Sequence, residues 1–529
     1  MIDKKENKLV QKNNAVNQFI CKHYIVISLI IIGIIGGIIR FYYLPFEIPL
    51  ILDALAYFYY ATDMVIIDGF PKGHHWPNNG WSTLLYVFFN FFPSDNYFDF
   101  MNIQRIVSSC ISVLTIIPIF YLCKKFFKEN IAIIGAAIFA LEPRIIQNSI
   151  MGITEPLYIF LGTISLSLFL SDNKKLIYLS FVIAGLFALI RYEGLLLIIP
   201  LLIIFTVRFR KEKKIYIKII FVILIFVLTL LPMAHIRTET LGNDGLVNHL
   251  AAVPIFYQGV AEGNDNENMV FKMIINGFYS YVLYFVWVTI PIFFLIIPYG
   301  LFKIIKNRDA KKWMLIITGI VLSASAFYAY SRGIQETRYL YVLYPLLCVV
   351  SLYTINPIFN KFKDKKLSLS IIIVIVIIIT SVTFLEIKID TEHEKEAYII
   401  AEKITQNAKG VNEYSPESNY LMSTKMYGKK YPALSNSEMN RTKIISTSNY
   451  KTLEKFIVEN EQVLTHIVID NKKNRQGFLK SIILNENNYL YLEKEFDSKD
   501  LGFEYDVKMF KINYKVFHSI MKQQNNKGD

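Results

Sequence analysis

The chain has 529 residues, of which 53% are hydrophobic and only 19% charged, with a formal net charge of +13. A mean hydropathy of +0.37 means more apolar surface than one water-soluble core can hide, so the surplus faces lipid. Nor does the positive charge mark a nucleic-acid binder, because Lys and Arg are scattered over short loops and form no single stripe.

A helix crosses a hydrocarbon layer of about 30 Å with roughly 20 apolar residues. On that basis the sequence predicts eleven spans, near residues 24–44, 102–123, 131–147, 154–170, 176–190, 193–207, 214–234, 279–302, 312–330, 337–356 and 367–386. The first follows a basic segment, residues 1–23, and reads as a signal anchor, since no small-x-small cleavage site precedes the bulky Arg40-Phe41-Tyr42-Tyr43. With that segment inside, the inner loops 123–130, 172–175, 208–218, 303–312 and 360–366 are all rich in Lys and Arg. The alternate loops are acidic, notably 45–101 and 235–278. This positive-inside pattern holds only if the spans on both sides of Arg191-Tyr192-Glu193-Gly194 cross separately. Cys21, Cys110, Cys123 and Cys348 have neither metal-ligand nor paired spacing and read as small packing residues.

Three regions follow: a cytoplasmic segment, residues 1–23; a transmembrane domain, 24–386, whose first outer loop is 45–101; and a charged tail, 387–529. The tail combines a helix-like start with strand-like runs at Val463–Ile469, Tyr489–Leu492 and Val507–Ile512, the pattern of a small α/β domain. An odd number of crossings puts it outside, in agreement with the glycosylation sequon Asn440-Arg441-Thr442.

Candidate chemistry gathers at the outer ends of the spans. Asp53 lies near the start of a predicted amphipathic helix after Pro49, whose aromatic residues would sit at headgroup level; a carboxylate there either caps the helix or works on a substrate. Glu142, Arg144 and Glu155 fall in the next outer loop, Glu155 at the head of an apolar helix, where a carboxylate serves the helix dipole or a function. Arg191 and Glu193 form the hairpin between the fifth and sixth spans, Arg338 opens the tenth and Arg105 heads the second. Arginines gathered opposite carboxylates at a membrane boundary suit a lipid phosphate, which a guanidinium grips through two hydrogen bonds. His74 and His75, near Asp68, are weak metal candidates without ligand spacing.

In their order and common sidedness, these features resemble the GT-C superfamily of membrane glycosyltransferases, of the protein-mannosyltransferase and aminoarabinose-transferase type, with a pattern similar to archaeal members. The resemblance runs from residue 25 to about 356 and rests on Asp53, Pro77-Asn78-Asn79-Gly80-Trp81, Arg105, Pro143 with Glu155, Arg191-x-Glu193-Gly194 and Arg338-Tyr339 with Pro345. It implies an α-helical polytopic GT-C fold with interfacial helices in the first outer loop. It also implies sugar transfer from a polyprenyl or dolichyl phosphate donor to a protein, glycan or lipid acceptor. In that picture Asp53 activates the acceptor, and Glu155 is the second acid. Arg338, Arg191 and Arg105 hold the donor phosphate, while Glu142, Arg144, Glu193 and Trp81 support the site. No cofactor is specified, and a divalent metal stays open. The departures are the lack of an Asp-x-Asp pair around Asp53, of an Asp-Glu pair there, and of a Trp-Trp-Asp motif in the tail. A secondary transporter would share the spans but would gather its charges near the bilayer midplane. A noncatalytic scaffold presenting the tail would leave the acidic first loop unexplained.

Overall fold

Apolar runs of membrane length fold as helices because hydrocarbon offers no water to a backbone N–H or C=O, and only an intrahelical bond satisfies both. The computed structural model describes residues 23–72, 79–245, 248, 267–306, 310–362, 365–407, 410–412, 443–445, 449–471 and 477–525. Among these, eight helices are long and apolar enough to cross a membrane: His23–Tyr42, Phe98–Lys124, Tyr192–Phe209, Ile215–Leu241, Met269–Thr289, Lys311–Ser331, Thr337–Lys361 and one beginning at Leu367. Three further expected spans fold as shorter helices, Glu129–Ala140, Glu155–Phe169 and Lys174–Ile190. The chain is a multi-pass membrane protein.

It divides into two compact units, the first built from residues up to Leu44 and from Phe70–Ile389, the second from Pro45–Gly69 and Asp390–Asp529. The stretch 45–101, expected as one outer loop, is thus shared between them. In the first unit the helices are α1 (His23–Tyr42), then α3 (Asn79–Phe91), α4 (Tyr97–Leu114), α5 (Ile116–Lys124), α6 (Glu129–Ala140), α7 (Pro143–Ile150), α8 (Glu155–Phe169), α9 (Lys174–Ile190), α10 (Ile198–Phe209) and α11 (Ile215–Leu241). They continue with α12 (Glu267–Thr289), α13 (Ile297–Lys306), α14 (Ala310–Ser331), α15 (Tyr344–Lys361) and α16 (Lys366–Lys388). The helix α2 (Leu52–Ile67) belongs to the second unit.

Two spans differ from their sequence reading. The expected run 131–147 breaks after Ala140, because Pro143 has no N–H to donate and starts a new helix, α7, behind Glu142 as N-cap. The run expected from 279 begins at Glu267, twelve residues earlier; Asn268, Lys272 and Asn276 interrupt its hydropathy without interrupting its helix, and it stops at Thr289, before Pro291.

Arg40 ties the first unit together. It is 1% exposed, and its guanidinium donates to Ser149 Oγ at 3.1 Å, to the carbonyls of Gly36 and Ala140 at 2.9 Å each, and to Ser112 Oγ at 2.9 Å. Those partners lie on α7, α1, α6 and α4, so one side chain supplies the donor that the last turn of α6 lacks and joins four helices.

The second unit is an α/β domain. Its helices are α17 (Thr391–Asn407), α18 (Leu453–Asn460), α19 (Gly477–Leu484) and α20 (Tyr514–Asn525), and its main sheet runs in the order β3 (His466–Asp470), β5 (Val507–Ile512), β4 (Leu492–Asp497). Both pairings are antiparallel, Val468 opposite Met509 and Leu492 opposite Ile512, with an irregularity between Lys494 and Phe496. A parallel pair, β1 (Gly410–Asn412) and β2 (Lys443–Ile445), forms a second, two-stranded sheet with β1 beside β3. Alternation along the strands serves two cores: Val468, Val507 and Met509 face one, and Ile467, Ile469, Phe510 and Ile512 the other.

Candidate active site

Two neighbouring helix ends bring charge together. Glu155 opens α8 beside Pro156, where the first turn lacks carbonyl partners and favours an acid. Arg191 follows α9 in an extended conformation (φ −145°, ψ 133°), and Glu193 lies in the short 3-10 turn Tyr192–Leu197 that leads into α10. The hairpin closes tightly at Gly194, where an added Cβ would stand 2.8 Å from the Ala188 Cα and 2.9 Å from the Phe187 carbonyl. Arg191 then reaches Glu155 at 2.6 Å and Glu193 at 3.0 Å, with the three side chains only 12%, 3% and 9% exposed.

Aromatic rings frame the bridge. Tyr158, one turn after Glu155, stacks on Phe187 with centroids 3.9 Å apart, and the Arg191 guanidinium lies 6.0 Å from the Tyr158 ring and 5.6 Å from that of Tyr339. Arg338, in the 3-10 turn Thr337–Leu343, is paired with Glu336. Glu155, Tyr158, Arg191, Glu193, Ser325, Arg338, Tyr339 and Val342 line one recess of ≈ 270 Å³, its open mouth included. Both carboxylates of the recess engage Arg191, and Glu336 engages Arg338, so an incoming anion competes with a carboxylate for each arginine.

The other predicted site residues do not line this recess. Arg105 is buried on α4 with Nη1 3.4 Å from Asn102 Oδ1. Trp81 is fully buried on α3, next to Gly80, whose missing side chain lets the helix approach the Leu189 carbonyl; a Cβ there would lie 2.7 Å from that oxygen. Arg144 donates from Nε to the Ile290 carbonyl at 3.0 Å and stands 5.0 Å from the Phe384 ring. Glu142 is fully buried, and among the described residues neither carboxylate oxygen meets a hydrogen-bond donor. Both residues were expected in a short outer loop; Glu142 occupies the N-cap position of α7 without a side-chain cap bond, and Arg144 lies within that helix. Asp53 belongs to the second unit, in the first turn of α2. Expected as an amphipathic interfacial helix, α2 is instead buried on most sides, Tyr57, Phe58 and Tyr60 included, because its apolar residues run around it and do not follow one stripe.

His74 and His75 lie outside the described residues, as does the Asn440 sequon. Among the described residues no three His, Cys, Asp or Glu side chains are grouped to hold a metal ion. Sequence reasoning passed over Tyr158 and Ser325. The spacing of three residues from Glu155 puts Tyr158 on the same helix face, a signal that was available; Ser325 had none, because only packing brings it to the recess.

Residues 100–233 match the family model described as dolichyl-phosphate-mannose-protein mannosyltransferase. Among solved structures, the Archaeoglobus fulgidus oligosaccharyltransferase tethered with an acceptor peptide aligns at TM-score 0.55 and 12% identity, covering 86% of this chain and 70% of that one. The fold is that of the GT-C glycosyltransferases. The archaeal oligosaccharyltransferase AglB from Archaeoglobus fulgidus, in complex with an inhibitory peptide and a dolichol-phosphate, aligns at TM-score 0.52 and 13% identity over 85% of this chain and 70% of that one. ArnT from Cupriavidus metallidurans bound to undecaprenyl phosphate aligns at TM-score 0.49 and 10% identity over 92% and 98%. No curated protein matches the chain by sequence.

Proposed function

We propose that this chain is a glycosyltransferase that moves a sugar from a polyprenyl or dolichyl phosphate donor to an acceptor at the extracytoplasmic membrane face, with the N-terminus inside and the C-terminal domain outside. The observation that carries this reading is the recess in which Glu155, Arg191 and Glu193 meet beside Arg338, in a membrane unit of GT-C fold. Charges held in a membrane protein at such desolvation cost serve a function more often than a structure. The dolichol-phosphate seen in the archaeal neighbour supports a lipid-linked donor. The acceptor is a protein, a glycan or a lipid.

In this mechanism Asp53 takes the proton of an acceptor hydroxyl or amide as its heteroatom bonds to the anomeric carbon. The bond from that carbon to the phosphate oxygen breaks, and its electron pair leaves with the lipid phosphate. Arg338 exchanges Glu336 for the phosphate and offsets the growing charge. Glu155, held by Arg191, orders the sugar or acceptor, and Tyr158 with Tyr339 offers ring faces beside it.

The test is transfer from a radiolabelled polyprenyl-phosphate sugar by the full chain in lipid vesicles. Asp53→Asn should lower kcat by about 10² to 10⁴, and Arg338→Ala by about 10² to 10³. Full transfer by both variants, or solute uptake into the vesicles without a covalent product, would overturn the reading.

A further inference from the structure

The segment that leads into the Asp53 helix is built into the C-terminal domain. Four residues of α17 spaced for one helical face, Ala397, Ile400, Ala401 and Ile404, form a core with Val468 of β3, Val507 and Met509 of β5, and Tyr505. The remaining member of that core comes from nearly 350 residues earlier in the chain: Ile48, 2% exposed, with Ile51 packed against the cluster. Glu47 pairs with Lys395 on α17; the bond and charge of that lysine hold the Glu47 carboxyl below its ordinary value. Ile51 is the N-cap of α2, and Asp53 is two residues further on. Peptide geometry alone ties the carboxylate to where Ile51 sits, since two residues span at most about 7 Å.

We propose that the C-terminal domain is a positioning element for the Asp53 carboxylate, with Ile48 and Ile51 as the residues through which α17 and the sheet hold the start of α2. Asp53's part in the reaction comes from the transferase reading above. The apolar core sets the place of the helix start. Loss of the core side chains on α17 loosens a helix start that is remote in sequence.

The experiment uses the full chain in vesicles with Ile400→Ala, on α17 and far in sequence from Asp53, and Ile400→Val as the conservative variant. Hydrogen exchange of the α2 amides, read without substrate, should accelerate about tenfold in Ile400→Ala and return close to the parent rate in Ile400→Val. Amides of α18 and α19, served by the second core, should keep their protection and so report that the domain is folded. In the transfer assay kcat should fall about tenfold with the donor KM unchanged, as expected for a misplaced catalytic group and not for a lost binding contact. Should Ile400→Ala unfold the domain, Ile48→Ala replaces it, with Ile48→Val as its conservative partner and the same two readouts. Unchanged α2 exchange beside a loosened α17, or a rise in KM alone, would overturn the proposal. If the parent chain transfers no sugar, the transferase reading fails, whereas the exchange response of α2 still decides whether the domain holds that helix.

Discussion

The two units handle ion pairs in opposite ways. In the membrane unit Arg191 bridges Glu155 and Glu193 with side chains 3% to 12% exposed, whereas in the C-terminal domain Lys494, Glu486, Lys508 and Asp497 form a network at 7% to 40%. The arginine cluster is buried throughout, whereas in the lysine network Asp497 is buried but Lys494 and Glu486 reach water. A buried ion loses several kcal/mol of hydration that only a near-perfect partner offsets, while an exposed pair is already solvated and contributes about 0 to 1 kcal/mol. The first arrangement therefore persists where charge is needed, and the second wherever charges happen to meet on a folded surface.

That contrast can be broken or sharpened by substitution. The largest effect is expected from Arg191→Ala, which strands two buried carboxylates and should cost about 3 to 5 kcal/mol, together with sugar transfer. Thermal unfolding in detergent measures it, and a loss under about 1 kcal/mol would put this cluster in the same class as the surface network. Next comes Gly194→Ala, which leaves every charge in place but sets a methyl group 2.8 Å from Ala188 Cα. Opening the hairpin should cost about 1 to 3 kcal/mol, and transfer should fall although no ion is removed; unchanged transfer would mean that the Arg191 geometry is not critical.

The smallest effect belongs to Glu486→Gln in the C-terminal domain, about 1 kcal/mol or less at neutral pH. Burial alone would raise the Glu486 carboxyl, but the hydrogen bonds and charges of Lys508 and Lys494 outweigh it and hold the group below its ordinary 4.5. A depressed carboxyl stabilises the fold fully above the unfolded value and loses that contribution as pH falls through the folded one. The parent domain should therefore lose stability below about pH 4.5 more steeply than the Gln variant, as read by hydrogen exchange of β4 and β5 across an acid series. Parallel acid profiles would show that the network contributes nothing.

Much of the membrane unit was legible because hydropathy adds up along the chain and needs no tertiary knowledge. Helix ends were less so: Pro143 stopped a run that composition alone would have continued, and the polar Asn268, Lys272 and Asn276 hid the first turns of α12. Of the three strand-like runs, Val507–Ile512 folds as β5 and Val463–Ile469 overlaps β3 from His466 onward, whereas Tyr489–Leu492 stops where β4 begins, at Leu492. Of the recess, Glu155, Arg191, Glu193 and Arg338 could be singled out by type and membrane-edge location; that the rings of Tyr158 and Tyr339 flank Arg191 could not be read from the chain. Arg40 was equally hidden, since nothing in Arg40-Phe41-Tyr42-Tyr43 announces four neutral partners on four helices.

By itself, the sequence determined that this is a multi-pass membrane protein with a charged α/β tail, since solvent preference is a property of each segment alone. Only the tertiary structure decided which carboxylates Arg191 joins, that Glu142 is buried without a donor among the described residues, and that Ile48 is part of the core of a domain nearly 350 residues later. Those outcomes depend on contacts between segments far apart in the chain, and a local pattern of hydropathy or charge holds no record of which distant surface it will meet.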